Sequence, residues 1–277
     1  MSKGPILAVA ISILLLLLIY LFVDIRPSTL KSPPLVEDAT LDLDPVGYIL
    51  AFNEQLSDSK ANQINNWLSD LDSDIDPTSK IEIVDSIIKF YETNEQYNFS
   101  AWFHSEKAKL IQTPESWATA GKRQYSVSQN EAYEEDFNRI LRKEGIKSYQ
   151  KAIELDSSNL DTKVALATCF LYDGKTTMDG ITLLLGVIEA DSLHVNANIL
   201  LGRFGIVSTQ YDKAIKRLEN VLSLQPENTE ALFLIGEAYV GLGQVDKAVE
   251  AFKKVRQLIE NEEIKREIDV YIEEITS

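Results

Sequence analysis

The sequence predicts an all-α chain, an α-solenoid of about five helical hairpins with an N-terminal transmembrane helix. Three observations predict it. From residue 161 onward, large and small residues recur at a 34-residue period. Through much of the chain before that, apolar residues recur every three or four positions, the spacing of one helix face. And the segment from Pro5 to Val23 carries no charge at all.

That uncharged segment is taken first. A helix over it spans about 28 Å, close to the thickness of a hydrocarbon core. A helix apolar on every side for five turns is rarely a soluble core helix. Tyr20 and Phe22 stand near its distal end, where aromatic rings favour the headgroup level. Lys3 gives only a minimal basic start, and Phe22 to Arg26 offer no small-x-small cleavage site, so a retained anchor is expected over a removed leader. Residues 1–23 are therefore read as a short tail and membrane helix, with 5–23 in contact with the lipid bilayer. The Lys/Arg balance across the span is nearly even. The short N-terminal tail and the acidic remainder favour an N-inside orientation in an inner (cytoplasmic) membrane, with the rest in the periplasm.

Residues 24–44 contain Pro27, Pro33 and Pro34 and fit no period, which predicts a linker extended by its prolines. Over 45–78, Tyr48, Ile49, Phe52 and Leu56, then Ile64, Trp67, Leu68 and Leu71, recur at helical spacing. Ser57 to Ser59 break the run, so a helical hairpin or two short helices are expected. Asp70, Asp72, Asp74 and Asp76 alternate before Pro77. Ile75 stands where a calcium loop needs glycine, and Ile81 where it needs a bidentate Glu. An acidic turn capping the next helix is the expectation.

Repeats are predicted over 79–260. In 229–260, helix A carries Leu232, Ile235, Gly236, Ala238 and Tyr239, and helix B carries Ala248, Phe252, Val255 and Leu258. One period earlier, in 195–228, Leu201 and Gly202, then Ala214, Leu218 and Val221, take the same places. One period earlier again, in 161–194, Val164, Ala167 and Thr168, then Gly180, Leu184 and Val187, do so. Gly180, Gly202, Gly236, Ala214 and Ala248 fall where helices A and B cross, and a small side chain lets the backbones approach. Tyr239 and Phe252 fill the space between hairpins. Each hairpin alone leaves an apolar face wet, so stacking completes the core.

Upstream, Trp117, Ala120, Gly121 and Tyr125 read as a helix A, and Tyr149, Ala152 and Leu155 as the end of a helix B. They are about 12 residues too far apart for one repeat, so 114–160 is a hairpin with an insertion near 126–142, either a lengthened helix B or an added turn. Another hairpin is expected over 79–113. The tail, 261–277, places Ile264, Ile268, Tyr271 and Ile275 on one stripe and reads as a capping helix.

The pattern Leu232, Ile235-Gly236, Tyr239, Ala248, Phe252 resembles the tetratricopeptide repeat family. That resemblance implies paired helices, a groove lined by the A helices, and binding of proteins or peptides. The family's known carboxylate-clamping groove uses polar residues where this chain has Ala165, Ile199 and Phe233, which argues against a clamped C-terminal carboxylate. Trp117 to Gly121 and Gly180 to Leu184 also resemble segments of a group of membrane-anchored repeat proteins from the Bacteroidota. The layout is similar to that of periplasmic single-anchor repeat proteins of secretion machinery.

Composition excludes several classes. The 27 Lys and Arg stand against 43 Asp and Glu, a net charge of -16. Such a chain repels polynucleotide backbones, so no nucleic-acid partner is expected. Cys169 is the one cysteine, which rules out an intrachain disulfide and a cysteine-based zinc cluster. His104 and His194 are the only histidines and lie 90 residues apart. No phosphate-binding glycine loop, zinc-protease motif or nucleophile elbow occurs. No catalytic residue, metal or cofactor is predicted.

What remains is a surface. The outward positions of the A helices are expected to include Lys122 and Tyr125, Cys169 and Tyr172, Ile199 and Arg203, and Phe233 and Glu237. Exposed Tyr172, Ile199 and Phe233 would form an apolar groove suited to a peptide or amphipathic helix. The competing expectation is that neighbouring repeats or the chain's own N-terminal helices cover them. The function predicted is a membrane-tethered interaction scaffold or adaptor for an envelope or secretion complex. Its partners would be one or more proteins. A structural, self-assembling homo-oligomer is the alternative, and an enzyme the least favoured reading.

Overall fold

The computed structural model describes residues 44–173 and 177–277. The expected span at 5–23 and most of the linker lie outside the described residues. Among the described residues no helix is long and apolar enough to cross a membrane. Those residues form thirteen α-helices and no strand. They divide into two compact units, one up to Gly180 and one from Ile181.

In the N-terminal unit the helices are α1 (Pro45–Asn53), α2 (Asp58–Leu71), α3 (Pro77–Thr93), α4 (Tyr97–Ile111), α5 (Pro114–Val127), α6 (Glu135–Leu155) and α7 (Leu160–Asp173). Their starts are set locally. Pro45, Pro77 and Pro114 each open a helix, where a missing N–H costs nothing. Asp76 ends the acidic run by accepting hydrogen bonds from the Thr78 and Ser79 amides at 3.0 and 3.1 Å. Those bonds, with one from the Ser79 hydroxyl, hold its carboxyl below the ordinary value. Thr113 and Ser116 form a reciprocal capping box at the start of α5.

The core of this unit is aromatic. Tyr91 stacks on Phe103 with ring centroids 5.8 Å apart, and Phe99 meets Phe137 edge-on at 5.0 Å. The Tyr91 hydroxyl donates to Asn53 Oδ1 at 3.0 Å, so the phenol is not left unpaired among these rings. Burial pushes the Tyr91 phenol up to about 12.

The insertion resolves into a loop after Val127 and a 21-residue α6. Arg142 donates to the Ser128 carbonyl and Asn138 to the Asn130 carbonyl, fastening that loop to the helix. The added turns of α6 carry Phe137, Ile140 and Leu141 into the core formed by α1, α3 and α4.

The second unit begins within α8 (Thr177–Ala190). It continues through α9 (Val195–Val207), α10 (Tyr211–Leu224), α11 (Thr229–Gly241), α12 (Val245–Leu258) and α13 (Glu262–Thr276). Close crossings dominate. A Cβ on Gly202 would lie 2.8 Å from Leu218, and one on Gly236 would lie 2.5 Å from the Phe252 ring. Ala214 and Ala248 are fully buried. Asn228 and Asn261 cap α11 and α13 through amides in the first turn.

The turns inside hairpins repeat as faithfully as the crossings. Glu95, Thr209 and Gly243 have φ of 58°, 59° and 70°, and a Gln follows each one. The amides of Gln96, Gln210 and Gln244 close back on the carbonyls of Tyr91, Gly205 and Tyr239 at 2.8, 2.7 and 2.9 Å. This is the left-handed closure that satisfies the last carbonyls of a helix.

Candidate partner-binding surface

The crossing residues named from the sequence lie between helices. Gly121 faces the Tyr149 ring, and Gly180 faces the Ala167 carbonyl and Leu171. Trp117 and Tyr239 are half-buried, and Lys247 stands 5.2 Å over the Tyr239 ring. Phe252 is fully buried.

The expected groove residues separate into two sets. Lys122 is exposed, Tyr125 half-buried, and Tyr172 exposed along part of its ring. Cys169 is buried, and the neighbouring Tyr149 phenol is raised above its usual value by burial and then by Cys169.

In the C-terminal unit the expectation of an exposed apolar groove is corrected. Phe233 is 2 % exposed and Ile199 is also buried. Ile199 packs with Leu218, Leu234 and Ile235, where α9, α10 and α11 meet. Phe233 lies 5.2 Å from the Phe252 ring and joins a core completed by Ile268 and Tyr271 of α13. Arg203 is buried and paired with Glu230 at the start of α11. Glu237 is 3 % exposed and lies against Tyr271. The physical reason is that, within this unit, the outward faces of α9 and α11 meet the helices that follow them. α11 covers α9, and α13 covers α11.

No chemistry gathers elsewhere among the described residues. No group of three His, Cys, Asp or Glu could hold a metal ion. His104 is held below its ordinary value by burial and then by Arg123. The Nδ1 of His194 accepts the Ala197 amide at 3.4 Å and caps α9. Gln124 is fully buried and lies 2.8 Å from the Ser148 hydroxyl, a polar tie between α5 and α6.

A different face stands out on α8. Met178 is 69 % exposed and Leu185 is 47 % exposed. They are seven residues apart and share one side of the helix. Gly186, beside Leu185, has open space where a Cβ would be. One period on, the same places hold Asp212, Glu219 and Asn220 in α10. Two periods on, they hold Asp246, Lys253 and Lys254 in α12. The outer face is thus charged in two helices and apolar in the third. Asp179 and Glu189 are the only charges in α8 and stand near its two ends. This face went unread in the sequence, although superposing the three repeats would have shown it.

Comparison with known proteins agrees with this geometry. The tetratricopeptide repeat family model matches residues 208–266. Anaphase-promoting complex subunit 3 of Dictyostelium discoideum is 27 % identical over 108 residues, covering 39 % of this chain and 11 % of that protein. Lipopolysaccharide assembly protein B of Haemophilus influenzae is 26 % identical over 139 residues, covering 46 % of this chain and 35 % of that protein. The chain therefore spans about a tenth to a third of the length of these relatives. Among solved structures, MamA superposes with a TM-score of 0.50 at 22 % identity, covering 64 % of this chain and 91 % of that one, a likeness of fold alone. Repeating crossings, repeating turns and the matched family model together identify tetratricopeptide repeats in this chain, with the model's match at residues 208–266.

Proposed function

We propose that this protein is a non-catalytic, membrane-tethered adaptor that holds a partner protein along the outer face of α8. The observation that carries this reading is the apolar pair Met178 and Leu185, in places where the following repeats carry charge. Tetratricopeptide repeats generally bind proteins or peptides, and apolar surface exposed on one helix while its counterparts are charged marks such a site. The occupant fitting it is an amphipathic helix with a narrow apolar stripe. Asp179 and Glu189 at the ends of the patch, in a chain of net charge -16, favour Lys or Arg flanking that stripe.

The tether is the uncharged segment 5–23, with the repeats on the periplasmic side of an inner membrane. A relative named as a subunit of a complex supports an adaptor, and one named for lipopolysaccharide assembly supports an envelope setting for it. The test uses the full-length chain from solubilised membranes. Replacing Met178 and Leu185 together by Asp is expected to remove a stoichiometric partner, seen by mass spectrometry, while helical circular dichroism is unchanged. Retention of the same partner would end the α8 reading, and capture of the chain's own copies alone would favour self-assembly. Protease cleavage of the repeats after the outer membrane is opened, but not in intact cells, is expected for the periplasmic placement. Protection until the inner membrane is breached would reverse it.

A further inference from the structure

The contact between α11 and α13 combines a greasy seam with one misplaced charge-bearing group. Ile268 and Tyr271 of α13 are buried against Leu232, Phe233 and Phe252, and Ile264 and Ile275 extend the stripe. Inside this seam lies the Glu237 carboxyl. Its Oε1 and the Tyr271 hydroxyl beside it have no well-formed hydrogen-bond partner, so the phenol supports the carboxylate only weakly.

The charged groups of the surrounding helices do not compensate it. On α9, Arg203 is engaged by Glu230. On α12, Arg256 is held by Asp269 of α13 at 2.6 Å, and Lys254 by Glu250 at 3.3 Å. On α13, Lys265 is held by Glu262, and Glu274 adds negative charge near Tyr271. Tyr239, the other titratable group on this part of α11, sits under Lys247. An ionised carboxylate buried with no cation and only a poorly placed donor is costly, and the cheapest relief is to let water in.

We propose that α13 is a proton-gated lid on α11, docked while Glu237 keeps its proton and loosened when Glu237 ionises. The apolar face beneath it, centred on Phe233, then becomes available as the pH rises. This lid lies on a different helix from the α8 face and does not depend on that reading.

The sign follows from the two states. With the lid open, Glu237 is wet and titrates near its ordinary 4.5. With the lid docked, burial raises it to about 7, and the Tyr271 hydroxyl offsets this in part. Below 4.5 both states are protonated and docking does not change with pH. Between those values the open state releases a proton that the docked state keeps. Docking therefore weakens as pH rises, by up to about a hundredfold between pH 5 and pH 7 for one proton, and it levels off above 7.

The test is hydrogen exchange of the full-length chain, read by mass spectrometry over residues 262–276 from pH 5 to 8 and corrected for intrinsic exchange. The opening of α13 is expected to increase through that window while α10 stays constant. Glu237→Gln removes the charge at constant shape and is expected to flatten the profile in the protected state. Should that variant fold poorly, Tyr271→Phe supplies a second reading. Losing the hydroxyl raises the docked-state value further, so the opening transition is expected to extend to higher pH. A flat wild-type profile, or a Glu237→Gln profile as steep as wild type, would overturn the proposal.

Discussion

Gly236 and Phe252 form a tight contact in the C-terminal unit, and its geometry makes a quantitative statement. A methyl group on Gly236 would stand 2.5 Å from Cε1 of a ring that is fully buried and has nowhere to go. Gly236→Ala is expected to cost about 1–3 kcal/mol by overpacking. Phe252→Ala is expected to cost about 3–5 kcal/mol through the cavity it leaves. The two should not add, because the cavity accommodates the methyl group. Urea denaturation of both single variants and the double variant checks this, and simple additivity would contradict the contact. Thr209 offers the opposite sign. It is β-branched at φ 59°, where its counterpart one period later is Gly243 at φ 70°. Thr209→Gly is expected to stabilise by about 1 kcal/mol, visible as a higher midpoint, since only the left-handed strain is removed.

Helices carry the next layer of consequence. Each outer B helix announces its exposed face by charge, and α10 and α12 do so with Asp212, Glu219, Asp246 and Lys253, all of them exposed. α8 breaks that rule at Met178 and Leu185, which is why the partner is proposed to bind there. The A helices behave differently, because the stack decides their exposure. Placing Asp at Ile199 or Phe233 would therefore disrupt the core rather than probe a groove. Removing α13 by truncation after Glu260 is expected to bare Leu232, Phe233 and Tyr239. Dye binding to apolar surface and self-association on a sizing column should both increase. An unchanged elution volume with no dye binding would show that the seam contributes little.

Across the molecule, charge is the dominant long-range term. A chain with 43 acidic and 27 basic residues repels itself wherever screening is weak. Raising ionic strength from 0.01 to 0.15 M shortens the screening length from about 30 Å to about 8 Å. The thermal midpoint is therefore expected to increase with added sodium chloride at pH 8. A decrease would mean that attractive pairs such as Arg203–Glu230 and Arg256–Asp269 outweigh the net repulsion. The measurement is best made at pH 8, above the value of about 7 at which docked Glu237 titrates, where most of it is already ionised.

The helix pairs were legible because what specifies them is short-ranged. A glycine opposite a large ring, an Asn or Asp before a first turn, and a left-handed residue before Gln each act within one hairpin, so the linear order records them directly. The 34-residue recurrence of Gly202 with Gly236, and of Thr209 with Gly243, is that record. The burial of Phe233, Glu237, Ile199 and Arg203 was not legible, because it depends on the register in which the following helix lies across them. Local chemistry chose the elements and their ends. Packing between elements chose which faces meet water, because covering a surface requires a neighbour that no stretch of the chain contains within itself.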